Sequence, residues 1–343
     1  MLCIASASLM PGDRGGKTPA ERDPVKIIRG IDNAPPFEKT VLTVGNFDGV
    51  HLAHQQLIAF ARSLTNGTGP VVVLTFEPHP LTVVAPGRAP ARLTLPDEKL
   101  KLLKAAGTDV TVIARSDPAL LGLEAEKFVD DILVARFHPR HIVEGPSFGF
   151  GRGRRGNPDL LRALAASHGC EVHIVEPVRV QIGGGEAVMV SSSLIRQLLS
   201  SGRVHEAAIC LGRPYALLGD VIHGHGRGKP LGFPTANLTT HEQLIPGEGV
   251  YAGRARMEGH VRPAAISIGR NPTFGGGELN VEAFVLDWDG DLYGLRLSIE
   301  FERFLRPQLR FDSPAALREQ IERDVAAVRS AGGVPAKSGE ARP

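Results

Sequence analysis

Two histidines three residues apart, His51 and His54, follow an apolar run and a glycine-bounded turn in VLTVGNFDGVHLAHQQ, residues 41–56. Val41, Leu42 and Val44 read as a buried strand, Gly45 and Gly49 admit a sharp turn, and Leu52, Leu57 and Ile58 begin helical spacing. Both imidazoles therefore fall on one face of a helix's first turn, where free N–H groups and the positive end of the helix favour an anion. Two such donors aimed at one place stabilise charge on a leaving phosphate, chemistry that needs no protein nucleophile. A second helix start, VSSSLIR at 190–196, sets Ser191, Ser192 and Ser193 at its opening and Arg196 one turn in. Capping uses one hydroxyl, whereas three beside an arginine suit phosphate, so the two helix starts together suit one triphosphate.

Two glycine-rich stretches add to this set. GPSFGFGRGRRGN, 145–157, combines glycines, Phe148, Phe150 and nearby cations. Its glycines begin several residues beyond the preceding strand, which argues against a dinucleotide fingerprint; a nucleic-acid loop would rest on this short run alone. The better reading is a flexible positive flap over phosphates, with two flat apolar rings for a ring-shaped ligand. In GHGRGKPLGFPTANL, 224–238, Gly226, Arg227, Gly232 and Pro234 shape a loop whose backbone comes close to ATP phosphates. Thr235 and Asn237, two apart on an extended segment, point the same way and supply hard oxygen ligands that suit Mg2+; a plain glycine-rich hairpin is the alternative. Glu282 lies on an apolar strand in NVEAFVLDWDG, where a carboxylate can accept a hydroxyl proton.

The elements that must hold these residues change character along the chain. From Lys26, strands at 41–44, 71–76, 109–113, 141–145 and 171–175 alternate with helices near 50–64, 97–106, 124–136 and 158–168. That alternation predicts a parallel sheet covered on both faces, with ligands beyond the C-terminal ends of its strands. GGGE at 183–186 reads as a turn and 191–202 as a capped helix, and a short connection, LGRPYALLG, follows. Beyond it, short alternating segments separated by glycine predict a small antiparallel barrel closed by a helix near 314–330.

The 343 residues suffice for two domains, with 42% hydrophobic content and a net charge of +2. That balance does not point to nucleic acid or a membrane surface, and no apolar run reaches the length of a bilayer span. Cys3, Cys170 and Cys210 have neither metal-ligand nor disulfide spacing, as in a reducing cytoplasm. PGDRGGKT near the start ends like a P-loop, but Pro11 occupies the place of its first glycine. Residues 1–25 and 331–343 are expected to be a disordered extension and tail.

GNFDGVHLAH resembles the HxGH signature of the nucleotidyltransferase superfamily, with Ala53 where glycine is usual. In order and spacing, GNFDGVHLAH, TFEPHP, FGFGRGRRG, VSSSLIR, GFPTAN, SIGRNPTF, VEAFVLD and GDLYG resemble the bacterial bifunctional riboflavin kinase and FMN adenylyltransferase family. The resemblance implies a Rossmann-like α/β nucleotidyltransferase domain at 26–210. It also implies a kinase domain at 211–330, a six-stranded antiparallel barrel with a C-terminal helix. It implies ATP and Mg2+, with riboflavin, FMN and FAD as ligands, in a cytoplasmic protein whose oligomeric state is open. Gly45, Asn46, Phe47 and Asp48 would lie at the adenylyl site with His51, His54, Ser191, Ser192, Ser193 and Arg196; Phe148 and Phe150 would meet flavin. In the kinase, Thr235 and Asn237 would hold metal and phosphate, and Glu282 would be the general base. Ser147 and Gln308 also depart from the family pattern, at positions where Asp or Asn and Glu are common. A kinase with a non-catalytic first domain, and a non-enzymatic flavin- or nucleic-acid-binding regulator, are the competing readings.

Overall fold

The structure is a computed structural model that describes residues 25–65, 69–223, 232–240, 242–257, 259–270 and 279–331. Residues 1–24 and 332–343, Gly226, Arg227 and the whole NPTF stretch lie outside the described residues, so the expectations placed on them stop there.

The first part runs β1 (Lys26–Arg29), β2 (Thr40–Val44), α1 (Leu52–Leu64), β3 (Val71–Glu77), α2 (Pro80–Val84), α3 (Pro96–Ala106) and β4 (Val110–Arg115). It continues through α4 (Pro118–Leu121), α5 (Ala125–Lys127), a π-helical stretch at Phe128–Val134, α6 (Ala135–Phe137), β5 (Pro139–Glu144), α7 (Pro158–Ala166) and β6 (Glu171–Ile174). Six strands form one all-parallel sheet in the order β1-β4-β3-β2-β5-β6, so the expected parallel sheet is present, with β1 as an added edge. Neighbouring strand residues face opposite sides, and the core divides accordingly. Val41, Val71, Val73 and Val143 pack with Ile58, Ala61 and Leu103 of α1 and α3. Leu42, Leu74, Val112 and Ile142 pack with Phe128, Leu133, Phe137, Leu161 and Ala165 on the other face. Strands buried on both faces account for the unbroken apolar runs in the sequence.

A hairpin, β7 (Arg179–Gln181) and β8 (Ala187–Met189), turns through Gly183 and Gly184, both at positive φ. α8 (Ser192–Ser200) follows; residues 203–210, given no element in the sequence reading, form most of a further helix, α9 (Val204–Leu211), and the LGRPYALLG connection, 211–219, runs from its last residue into the next strand. Then β9 (Tyr215–Ile222), β10 (Ala236–Thr240), β11 (Gly249–Met257), β12 (His260–Arg270), β13 (Leu279–Val285) and β14 (Arg296–Arg306) close an antiparallel barrel, and α10 (Pro314–Ala331) ends the described chain. The barrel interior takes alternate residues, among them Ala236, Leu238, Ile266, Ile268, Val281, Ala283 and Val285. Part of its outer face is covered by α10 through Val325 and Val328 against Ala252, Phe284 and Leu286. Arg306 pairs with the buried Asp324 of α10 at 2.7 Å. Helices α8 and α9 share one apolar cluster with the barrel residues Tyr215, Tyr251 and Phe301, so the two parts meet across a packed seam.

Candidate active sites

The turn between β2 and α1 is tightly wound, with Phe47, Gly49 and Val50 all at positive φ. For Val50, β-branched and buried, such a conformation is costly and persists only because the surroundings enforce it. Several contacts do so. Asp48 accepts hydrogen bonds from the Leu93 and Thr94 amides at 2.9–3.0 Å and pairs with Arg196 Nη2 at 2.5 Å. Arg213 Nη2 donates to the Gly49 carbonyl at 2.7 Å, and Ser192 Oγ donates to that of Asp48 at 2.9 Å. The Phe47 ring lies under His54, its centroid 5.0 Å away.

On this base His51, the residue before α1's first turn, and His54 stack face to face with centroids 3.6 Å apart. His51 is buried and His54 half-buried, and the buried Nδ1 atom of each has no hydrogen-bond partner. Burial pushes the His51 imidazole down to about 4, with Arg213 and Arg196 adding to the effect against the pull of Asp48. His54 is lowered further, by burial and then by His51 and Lys99. Both rings are thus neutral near pH 7, each with one N–H to donate. Positive charge near them comes from Lys99, Arg196 and Arg213. Lys99, buried on α3, lies within 3.3 Å of Thr75 Oγ1, 3.4 Å of the Asn46 carbonyl and 3.9 Å of Glu77.

The structure brings Gly45, Asn46, Phe47, Asp48, His51, His54, Ser192 and Arg196 together, and it gives several of them work within the protein. Ser191 caps α8 by accepting from the Leu194 amide at 3.2 Å, while Ser193 is exposed. Arg196 is held by Asp48 and by the Ala91 carbonyl at 2.8 Å. Phe150, expected on a flexible flap and available to a ring-shaped ligand, is buried against Phe128, and its backbone pairs with that of Gly156 in both directions. A Cβ on Gly156 would come within 2.6 Å of the Phe150 ring, so glycine there closes the loop rather than freeing it. Phe148 stacks on Phe150 at 5.4 Å and stays half-buried.

Sequence reasoning passed over three groups. His79, in the proline-rich TFEPHP loop, meets Asn46 Nδ2 through its Nε2 at 3.0 Å. Lys99 reads as one more helix lysine until α3 is packed. Glu144, buried at the end of β5, accepts the Val44 amide at 2.6 Å, and burial holds its carboxyl well above the usual range. An acidic residue closing an apolar strand was the only available signal.

The second cluster lies on the outer face of the barrel. Asn237 of β10 is opposite Glu282 of β13, which is opposite Ser267 of β12. Because Ala236, Leu238, Val281 and Ala283 point inward, Asn237 and Glu282 share the outer face. Thr235 Oγ1 lies 3.3 Å from Glu282 Oε2; Asn280 Nδ2, absent from the sequence argument, donates to Glu282 Oε1 at 2.8 Å and to Asn237 Oδ1 at 3.3 Å. Gln308 donates to Ser267 Oγ and to the Ile268 carbonyl, each at 2.9 Å, beside this cluster. Gly232 and Pro234 are exposed on the approach to β10.

A histidine pair at a helix start above a parallel sheet, with a carboxylate–hydroxyl–amide cluster on a small barrel, defines a two-domain protein built for ATP-dependent phosphate chemistry. The FAD synthetase family model matches residues 34–193 and the riboflavin kinase model residues 211–331. The bifunctional riboflavin kinase/FMN adenylyltransferase of Escherichia coli K12 is 37% identical over 304 residues, covering 88% of this chain and 96% of that protein. The Bacillus subtilis protein of the same description is 33% identical, covering 83% and 90%. The chain belongs to the bifunctional riboflavin kinase/FMN adenylyltransferase family. A crystal structure of a Streptococcus pneumoniae protein described as a macrolide-efflux protein is also similar, at 28% identity and TM-score 0.79, covering 89% of this chain and 99% of that one. That description stays with that protein; among the described residues here, no helix is long and apolar enough to cross a membrane.

Proposed function

We infer that this chain makes FAD from riboflavin in two ATP-dependent steps, phosphorylation of riboflavin to FMN and adenylylation of FMN with release of pyrophosphate. The observation that carries this is the assembly, in one chain of this family, of both clusters: the neutral His51–His54 stack and the Thr235–Asn237–Glu282 group. We assign the first reaction to the domain at 211–330 and the second to that at 26–210.

In the kinase step Glu282 accepts the proton of the riboflavin 5′-hydroxyl as its oxygen bonds to the γ-phosphorus of ATP and the bond to ADP breaks. Thr235 and Asn237 present hard oxygens next to a carboxylate, a donor set that fits Mg2+, which when bound neutralises charge on the phosphates. Asn280 fixes the orientation of both Asn237 and Glu282. In the adenylyl step an FMN phosphate oxygen attacks the α-phosphorus of ATP, and His51 and His54 donate to the oxygens on which charge collects as pyrophosphate leaves. Lys99, Arg196 and Arg213 hold that region positive while Asp48 keeps the turn wound, and the α8 start with Ser191, Ser192 and Ser193 faces the same phosphates. Phe148, resting on Phe150, offers the flavin a ring face.

We place the protein in the cytoplasm, with no nucleic-acid or membrane partner. Purified protein incubated with riboflavin and Mg-ATP is expected to yield FMN and then FAD by chromatography. FMN alone would leave a kinase with a non-catalytic first domain; neither product, with RNA or DNA binding that falls steeply with salt, would indicate a regulator.

A further inference from the structure

A third cluster, apart from both phosphate sites, lies where β5 and β6 run side by side. His141 of β5 is opposite Glu171 of β6, and His173 follows two residues later on the same face. His141 Nδ1 lies 3.1 Å from His173 Nε2 and 3.4 Å from Glu171 Oε2, and His173 Nε2 lies 3.7 Å from that same oxygen. Among the described residues, no other group of three His, Cys, Asp or Glu side chains brings its ligand atoms within 4.8 Å of one another. We propose that His141, Glu171 and His173 form a binding site for a borderline transition-metal dication of the Zn2+ class.

The three separations carry the proposal. Nitrogen and carboxylate ligands sit at about 2.0–2.2 Å from tetrahedral Zn2+, which places any two of them about 3.3–3.6 Å apart. The observed triangle has close to those edges, and the Glu171 side chain is largely exposed, so the site is reachable from solvent. A simple imidazole–imidazole hydrogen bond would account for the shortest edge only; it does not call for a carboxylate oxygen near both nitrogens. Two imidazoles and one carboxylate suit Zn2+, Co2+ or Ni2+ and not Mg2+, so the metal of the ATP reactions would not occupy the site. His141 begins three residues before Glu144, about 10 Å down the strand from the sheet's C-terminal end where the histidine pair sits. The site therefore acts on the fold: it ties β6, the sheet's edge, to β5, with Phe60 of α1 packed against His173 at 5.7 Å.

The test uses tag-free, full-length protein titrated with Co2+ in excess Mg2+, beside His141→Gln/His173→Gln and Glu171→Gln. The wild type is expected to bind one Co2+ more than the double variant, with a tetrahedral visible absorption band that Zn2+ abolishes. Glu171→Gln, which leaves the imidazole pair intact, should weaken Co2+ binding roughly tenfold or more. Zn2+ should raise the melting temperature of the wild type and not that of the double variant, while FMN and FAD formation from Mg-ATP by the proteins freed of Zn2+ and Co2+ stay equal. Equal Co2+ stoichiometry in wild type and double variant, no tetrahedral band, or a Glu171→Gln protein that binds as tightly as the wild type would each overturn the proposal.

Discussion

At Glu282 a single carboxylate serves one hydroxyl attack, so its removal should affect one product. Glu282→Gln preserves size and is expected to slow riboflavin phosphorylation by roughly 100- to 10,000-fold, while FAD formation from supplied FMN continues. Equal losses in the two assays would contradict the assignment. The reverse holds at the other site. His51→Ala and His54→Ala should each cost FAD formation about 3 kcal/mol of transition-state stabilisation, the scale of one preorganised donor, with FMN production from riboflavin unchanged. His51 also gives a pH signature. Its folded value, about 4, lies below the ordinary 6.5, so the fold favours the neutral ring. That contribution is complete above pH 6.5 and is lost as pH falls toward 4, to a limit of about 3 kcal/mol. Thermal melts across this window should decline less in His51→Gln than in the wild type; parallel curves would show that the ring is not neutral by virtue of the fold.

At the scale of elements, α9 decides where the kinase domain can be cut. Its buried residues Val204, Ala207, Cys210 and Leu211 belong to the same cluster as Tyr215, Tyr251 and Phe301 of the barrel. A fragment beginning at Arg213 retains every proposed kinase residue but uncovers that surface, and each buried aliphatic side chain of this size is worth about 1.5–3 kcal/mol. Fragments starting at Arg203 and at Arg213 are both expected to phosphorylate riboflavin, with the longer one melting at the higher temperature. Identical melting temperatures would mean that α9 contributes nothing to the barrel.

At the scale of the whole molecule, the two parts are joined through the strand-like segment at 92–94. Arg92 pairs with Glu77 of β3 at 2.5 Å and with Glu242 beside the barrel at 3.3 Å, and the Leu244 amide donates to the Arg92 carbonyl. The buried Gln243 donates to the Leu93 and Ala216 carbonyls at 3.1 and 2.9 Å and accepts from the Leu218 amide at 3.1 Å. Gln243→Ala removes a partner from three backbone groups, and a buried group left unsatisfied costs about 1–3 kcal/mol. A marked fall in melting temperature is expected, with both activities retained at low temperature because no proposed catalytic residue is touched. An unchanged melting temperature would show that the seam is held elsewhere.

The sequence by itself determined the features that depend on neighbours along the chain. Strand and helix periods, the wound turn at Gly45–Gly49, the pairing of His51 with His54 one helical turn on, and the change from helical to two-residue alternation after α9 are all local patterns, and local sterics and burial enforce them. The uses made of individual side chains were decided by partners far away in sequence. Arg196 reads as a free phosphate ligand until Asp48, from the other end of the domain, is seen to hold it at 2.5 Å. Ala53 stands out in the sequence only as the residue in glycine's usual place; the fold packs it on the cluster that contains Leu93 and the α8–α9 residues. The glycines around Phe150 suggest a flexible flap, but Gly156 is what lets the loop close on itself with the ring buried. Asn280 gives no signal until β10 and β13 are paired. In each case the deciding contact joins segments whose closeness exists only once the sheet, the barrel and the seam between them have formed, so no pattern of spacing along the chain could record it.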